Sequence, residues 1–369
     1  MGKKDGPRLL LGTRKGVFVF TRKRKGWKLQ HHGEPGNPIP YAVHDPRTDS
    51  LWCSIDHGHW GQKLVRSRDG GATFEPVPEP KYPENAEIKP GKPAVLRYLW
   101  VLAPGHAAEP GTLYVGTEPG ALFVTRDDGT SFQLVEGLWN HPSRQEQWMG
   151  GGRDEAGIHS VLVDPRDARR VLVGISTAGV FETTDGGASW APRNQGLTST
   201  YLPEPTPEVG HDVHALQWCL AKPDVIWQQN HCGIFRSTDG ARSWKPVHEK
   251  ERKGRRRLAY FGFPIAADPE DPKTAWVVPA DADQKRQAID GALRVLRTED
   301  GGKSWQDLRR GLPEERAYDV VYRHALDQRG DELAFGSTTG NVYWSDDRGD
   351  SWRELGHNFP PVYSVRFAD

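Results

Sequence analysis

The chain has 369 residues and carries 49 basic and 49 acidic side chains, for a formal net charge of zero. That balance argues against nucleic acid or an anionic membrane as a partner. Fourteen Trp, 12 Phe and 10 Tyr supply apolar area for a large core, while the three cysteines Cys53, Cys219 and Cys232 are too few for a disulfide framework.

Near the N-terminus, Leu9-Leu10-Leu11 is too short for a signal core or a membrane span. The Met1-Gly2 start fits a myristoylation signal poorly, because Asp5 and Gly6 follow. A cytoplasmic protein is expected. Three short β-rich runs come next, at 8–14, 16–22 and 26–30. They read as strands B, C and D of a four-stranded unit that lacks strand A. The basic runs 22–25 and 252–257 read as solvated turns.

Six later segments share one pattern: Ser or Thr, any residue, Asp, any residue, Gly, two more residues, then Trp or Phe. They begin at Ser67, Thr125, Thr183, Ser237, Thr298 and Ser345. The fourth has Ala241 in place of Gly. Their spacing of roughly 50–60 residues is that of a four-stranded propeller blade. In such a turn the carboxylate accepts backbone N–H groups and Gly takes the positive φ. The Ser/Thr and the aromatic should then fix the two flanking strands against each other. Around Thr183, the runs 158–165, 170–176, 179–185 and 189–194 read as strands A to D. An Asp-Pro turn follows strand A at Asp45, Asp164 and Asp268. The C-terminal run 362–367 is a strand A with nothing after it. The two chain ends together complete one blade, which protects both outer sheets from an open edge. The expectation is an all-β, seven-bladed propeller occupying 1–369 as a single domain.

The repeat resembles the Asp-box, or BNR, repeat of sialidases, sortilin-like receptors and photosystem assembly-factor propellers. Over its whole length the chain resembles bacterial BNR-repeat proteins labelled sialidase or glycoside hydrolase. The resemblance implies the fold. A sialidase would also need three arginines on the substrate carboxylate, a Tyr–Glu nucleophile pair and an Asp acid. The Arg-Ile-Pro motif of sialidases is absent, and Arg14, at a comparable early loop position, has no assignable partners. A xyloglucan-type glycosidase would use two carboxylates, with Glu118, Asp154, Asp212, Asp281 and Asp283 available.

Strand direction puts the repeated turns and the A–B turns on one face. The B–C loops and D-to-A connections lie on the other, here called the top, where propeller function usually sits. Two D-to-A connections, 137–157 and 195–210, are long enough to suggest a role beyond linkage. The first holds His141, Arg144, Gly150-Gly151-Gly152, Arg153 and Asp154. Seven of the 14 histidines fall in top loops or at the start of a strand A: His57, His59, His141, His159, His211, His214 and His231.

Neutral imidazole is a common transition-metal ligand, and three histidines with open positions make a reactive centre. The expectation is that at least three of His57, His59, His159, His211, His214 and His231 converge on a divalent transition metal. Asp56, Asp154 and Asp212 would be the carboxylates that orient them. The alternative is that these imidazoles bond loop backbone and stack on Trp60, Trp139 and Trp148. Cys232 reads as a ligand or, more simply, as a small buried residue.

Three functions compete. The first is a metal-assisted enzyme on a small-molecule substrate, with Arg14 or Arg286 holding an anionic group and Asp154 or Glu118 as acid–base. The second is a glycoside hydrolase using a carboxylate pair. The third is a non-catalytic binding propeller. Oligomeric state is left open.

Overall fold

The computed structural model describes residues 6–251 and 253–368; the Met1-Gly2 start and Arg252 lie outside the described residues. Seven four-stranded antiparallel sheets form, together with a small hairpin of Glu87–Lys89 and Lys92–Pro93. The strand A of each sheet packs against the strand A of the next, all the way round, so the sheets are the blades of a closed seven-bladed propeller.

Closure occurs in the first blade. Strand A (Val362–Ala368) pairs with strand B (Arg8–Thr13), with Arg8 opposite Ala368 and Leu11 opposite Val365. Gly16–Lys23 and Gly26–Gly33 complete that sheet. The reading of the two chain ends therefore holds. The run at 22–25 is not wholly solvated: Arg22 bonds Glu332 at 2.7 Å and lies 4.6 Å from the Trp344 ring. Both partners belong to the seventh blade, which flanks the first.

The repeated turn has the expected chemistry. In Thr183–Trp190, Asp185 Oδ1 accepts the Ser189 N–H at 3.0 Å and the Thr183 hydroxyl at 2.7 Å. The Thr183 Oγ1 in turn accepts the Gly187 N–H at 2.9 Å. The Ser189 hydroxyl on Oδ2, together with these donors, holds the Asp185 carboxyl far below the usual carboxylate range. Gly187 has φ 101° and Ala241, its counterpart, is forced to φ 70°. The glycine also allows contact between blades: a Cβ on Gly129 would lie 2.6 Å from Trp52 of the preceding blade.

The closing aromatic differs from expectation. The Trp244 indole donates to Arg193 O at 2.7 Å and the Trp305 indole to Val247 O at 2.9 Å. Both acceptors lie in the preceding blade, so the ring joins neighbouring sheets as well as its own strands. The Asp-Pro turns also bridge blades: Arg166 bonds Asp164 and reaches Asp224 at 2.9 Å. The bottom face is thus a structural belt. Asp185→Ala is expected to lower the melting temperature by about 2–4 °C and leave top-face ligand binding unchanged. A binding loss without any melting shift would contradict that separation.

Strand A carries one further feature, invisible in the repeat pattern. Its pairing with strand B slips by one residue in five blades. The slips skip Trp100, His159, His214 and Tyr363, and in the sixth blade fall at Phe263-Pro264. A bulge re-aims the side chain of its extra residue. Here all five of Trp100, His159, His214, Phe263 and Tyr363 line the central channel.

Candidate functional site

A pocket of about 770 Å³ opens on the top face, lined by residues from every blade. Its walls are aromatic: Tyr98, Trp100, Phe261, Phe263, Tyr322 and Tyr363. Its rim includes Met149 to Arg153 from one long connection and Tyr201-Leu202 from the other. The face expected from strand direction is therefore the one that holds the cavity.

One side of the pocket carries Asp212, His214 and His231, whose ligand-type atoms all lie within 4.8 Å of one another. Asp212 and His214 flank Val213, which begins the fifth blade's strand A, and the bulge turns His214 inward. His231 and Cys232 form the two-residue turn between Ile226–Asn230 and Gly233–Ser237. The Cys232 N–H donates to the Asn230 side chain at 2.9 Å, and the His231 N–H donates to Asp212 O at 2.9 Å. These bonds hold the imidazole beside the carboxylate.

His214 is buried and stacks on Phe263 at 4.9 Å. Its Nδ1 lies 2.6 Å from Gly262 O, so it must carry a proton and donate it. Burial pushes the imidazole pKa down, against the pull of Asp212. Its Nε2 lies 3.3 Å from Asp212 Oδ2. His231 Nδ1 is 3.5 Å from the same oxygen, and its Nε2 is 3.8 Å from Asp283 Oδ2. Burial raises the Asp212 pKa, but His214, His231 and Arg323 outweigh it and keep the carboxylate ionised.

The other carboxylate oxygen, Asp212 Oδ1, accepts the Thr177 N–H at 3.3 Å. Thr177 has φ 56°, a strained value for a β-branched residue, and its hydroxyl bonds Met149 O. A Cβ on Gly151 would lie 2.5 Å from the Thr177 methyl, so glycine is needed there. Such strain survives where surrounding contacts over-determine it, which is common at sites.

The three-histidine centre does not form among the described residues; two of the six histidines meet, with Asp212 as the third group. His57 lies in the second blade's B–C loop, its Nδ1 accepting the Trp60 N–H at 3.0 Å, and His59 sits edge-on to Trp60. His159 donates from Nε2 to Val213 O at 2.8 Å. His211 is held between the Ser199 hydroxyl (2.7 Å) and Pro207 O (2.8 Å). His141 bonds Ser143. Local backbone and hydroxyl partners were available to each of these rings.

The other expected site residues also spread out. Arg14 is exposed on its hairpin, outside the pocket lining. Asp154 is exposed and pairs with Arg97 at 2.7 Å. Glu118 is buried and ion-pairs with Arg153, whose guanidinium lies 3.9 Å from the Tyr98 ring. Arg286 does reach the pocket, at its mouth, with Nε donating to Asp283 O at 3.1 Å. Asp281 pairs with Arg256, and Arg144 is spent on the backbone carbonyl of Ile88 at 2.8 Å.

Sequence reasoning missed Arg323 and His324, which line the pocket from the seventh blade. A signal existed. His159-Ser160-Val161, His214-Ala215-Leu216, His324-Ala325-Leu326 and Tyr363-Ser364-Val365 repeat a ring, a small residue and an aliphatic. Aligning them places Arg323 just above that ring of side chains.

No protein-family model and no curated protein matches the sequence. Solved structures show the fold. An ancestral GH74 enzyme is similar at TM-score 0.60 and 15% identity, over 87% of this chain and 39% of that one. The GH74 enzyme of Niastella koreensis has TM-score 0.56 and 12% identity, over 98% of this chain and 66% of that one. The chain thus spans less than two thirds of either GH74 enzyme. YCF48 bound to D1 peptide has TM-score 0.52 and 14% identity, over 90% of this chain and 87% of that one.

Proposed function

We propose that this chain is a metal-dependent enzyme acting on a small molecule that enters the top pocket. The observation that carries the reading is the Asp212–His214–His231 set, with its ligand-type atoms within 4.8 Å of one another. Two imidazole nitrogens and a carboxylate oxygen suit a divalent first-row ion and leave coordination positions open. The His214 Nδ1–H bond to Gly262 O is the outer contact that fixes such a ligand's tautomer. A bound ion would polarise a substrate carbonyl or activate water. Asp283, half-exposed beside His231, takes the acid–base place expected of Asp154 or Glu118. The six repeated turns support reading the scaffold as an Asp-box propeller.

The pocket carboxylates Asp56, Asp212 and Asp283 favour a second reading, glycoside hydrolysis by a carboxylate pair. Metal analysis separates the two. Purified protein is expected to retain about one divalent ion per chain, as a three-ligand catalytic site with an open position would. His214→Ala combined with His231→Ala is expected to lose it while the ring stays folded, since the sheets and not the ion close the ring. Protein that binds no divalent ion after dialysis against zinc, iron, manganese or cobalt would overturn the metal reading and leave the second.

A further inference from the structure

Arg323 is unlike the other arginines around the channel. Arg153 is neutralised by Glu118, and Arg366 donates to His324 O at 2.8 Å and to the Tyr41 hydroxyl at 3.1 Å. Arg323 is half-buried and lines the pocket, yet no hydrogen bond or ion pair is made by it among the described residues. Its Nε is buried without a partner. Ring faces flank the guanidinium, Trp100 at 5.2 Å and Phe263 at 5.6 Å, and Asp212 acts on it through space without a hydrogen bond. Cation–π contact offsets part of the desolvation of such a charge, but leaves its N–H donors unused. A planar fork with free donors is matched by an oxyanion, which it binds bidentately.

We propose that Arg323 anchors the carboxylate of a small monocarboxylic acid whose body lies between Trp100 and Phe263. The anchor rests on the pocket assigned above as the substrate site and not on the metal; the choice of a monoanion rests on the metal as well. Phe263 touches both ends of the arrangement: Arg323 lies over it, and His214 stacks on it at 4.9 Å. An acid held by Arg323 therefore extends only a short way before its second polar group meets Asp212, His214 and His231. Charge selects a monoanion. With Arg153 cancelled by Glu118, the pocket holds Arg286 and Arg323 against Asp56, Asp212 and Asp283. A divalent ion brings this to one positive charge in excess, which one carboxylate neutralises. Arg323 takes the anion-holding place expected of Arg14 or Arg286.

The test uses the full chain, both loaded with zinc and stripped by a chelator, in calorimetric titrations with benzoate, benzamide and phenyl phosphate. Benzoate is expected to bind both forms, and benzamide to bind about tenfold more weakly or worse, for loss of a charged hydrogen-bond pair. Arg323→Gln should reduce benzoate to the benzamide level, and Arg323→Lys should recover part of the difference. Should Arg323→Gln melt early, the Arg323→Lys variant and the benzoate–benzamide ratio on the native chain decide instead. Equal binding of benzoate and benzamide overturns the proposal, as does benzoate binding that ignores Arg323→Gln. Phenyl phosphate binding more tightly than benzoate overturns the monocarboxylate assignment. Benzoate selectivity in a protein that holds no zinc supports the anchor while rejecting the metal reading. Zinc binding without benzoate selectivity does the reverse.

Discussion

Truncating the chain after Pro361 is expected to abolish cooperative folding. The deletion removes strand A of the first blade, in which Val362, Val365 and Ala368 are buried. Burying each valine stabilises by about 1.5–3 kcal/mol. The strand also ties three neighbours together. Val365 N–H donates to His324 O at 2.8 Å, Phe367 N–H to Asp327 at 2.8 Å, and the Ser364 hydroxyl accepts the Ala42 N–H at 3.2 Å. Those contacts span the seventh, first and second blades, so losing them opens the ring at one point. Strand B, Arg8–Thr13, would then present an unpaired apolar edge containing Leu9, Leu10 and Leu11, a template for aggregation. The combined loss is comparable with the whole stability of a typical domain, about 5–15 kcal/mol. Far-ultraviolet circular dichroism during a thermal ramp checks this. A truncated chain with a sharp transition within a few degrees of the full chain would show that the ring does not depend on its closing strand.

Acidification from pH 7 to pH 4.5 is expected to remove several kcal/mol of stability, through histidines buried neutral at the axis. Burial first, then Arg366 and Arg323, push His324 down to about 3 from an ordinary 6.5. Burial also drives His159 well below its ordinary range and lowers His214. The folded state therefore binds fewer protons than the unfolded chain throughout this window. Stability must fall as pH drops below the unfolded pKa, and continue falling until the folded pKa is passed. For His324, with folded and unfolded values of about 3 and 6.5, the loss by pH 4.5 is about 3 kcal/mol. The turn carboxylates do not share in this step. Asp69, Asp127 and Asp300 are held down to about 2 by their hydroxyl and N–H donors, and stay ionised at pH 4.5. Urea unfolding at the two pH values measures the difference. Equal stabilities would mean that water or protons reach the axis freely.

The legible part of this molecule was the part governed by local chemistry. A Ser/Thr-x-Asp turn needs only its own eight residues to form, so Thr183–Trp190 and its counterparts can be recognised without knowing what surrounds them. The orphan strand at 362–367 was legible for the same reason. The site was half legible. His214 and His231 were placed correctly on the top face, but whether an imidazole faces the cavity depends on what else lies within reach. His211 finds Ser199 and Pro207, and His159 finds Val213. Glu118 and Asp154 are likewise claimed by Arg153 and Arg97. Such pairings arise between segments brought together by the loops, and nothing in the spacing of either partner announces them. Arg323 was missed for the converse reason. Its significance is that it makes no hydrogen bond among the described residues, which only the assembled channel reveals.

The slips of register in strand A bear on how such a channel changes over time. A residue inside a regular ladder is tied to its neighbours by alternation: exchanging it alters which side chains meet in the sheet interior. The residue at a bulge is released from that constraint, because it has no opposite number in the ladder. Trp100, His159, His214, Phe263 and Tyr363 all occupy such positions. Exchanging one of them, ring for ring or imidazole for phenol, leaves the ladder pairing intact, and its cost falls on the bonds that side chain makes to the next blade, such as His159 to Val213 O and His214 to Gly262 O. The scaffold thereby separates inheritance of shape from inheritance of chemistry, and a new reactivity at the axis is reachable through single substitutions.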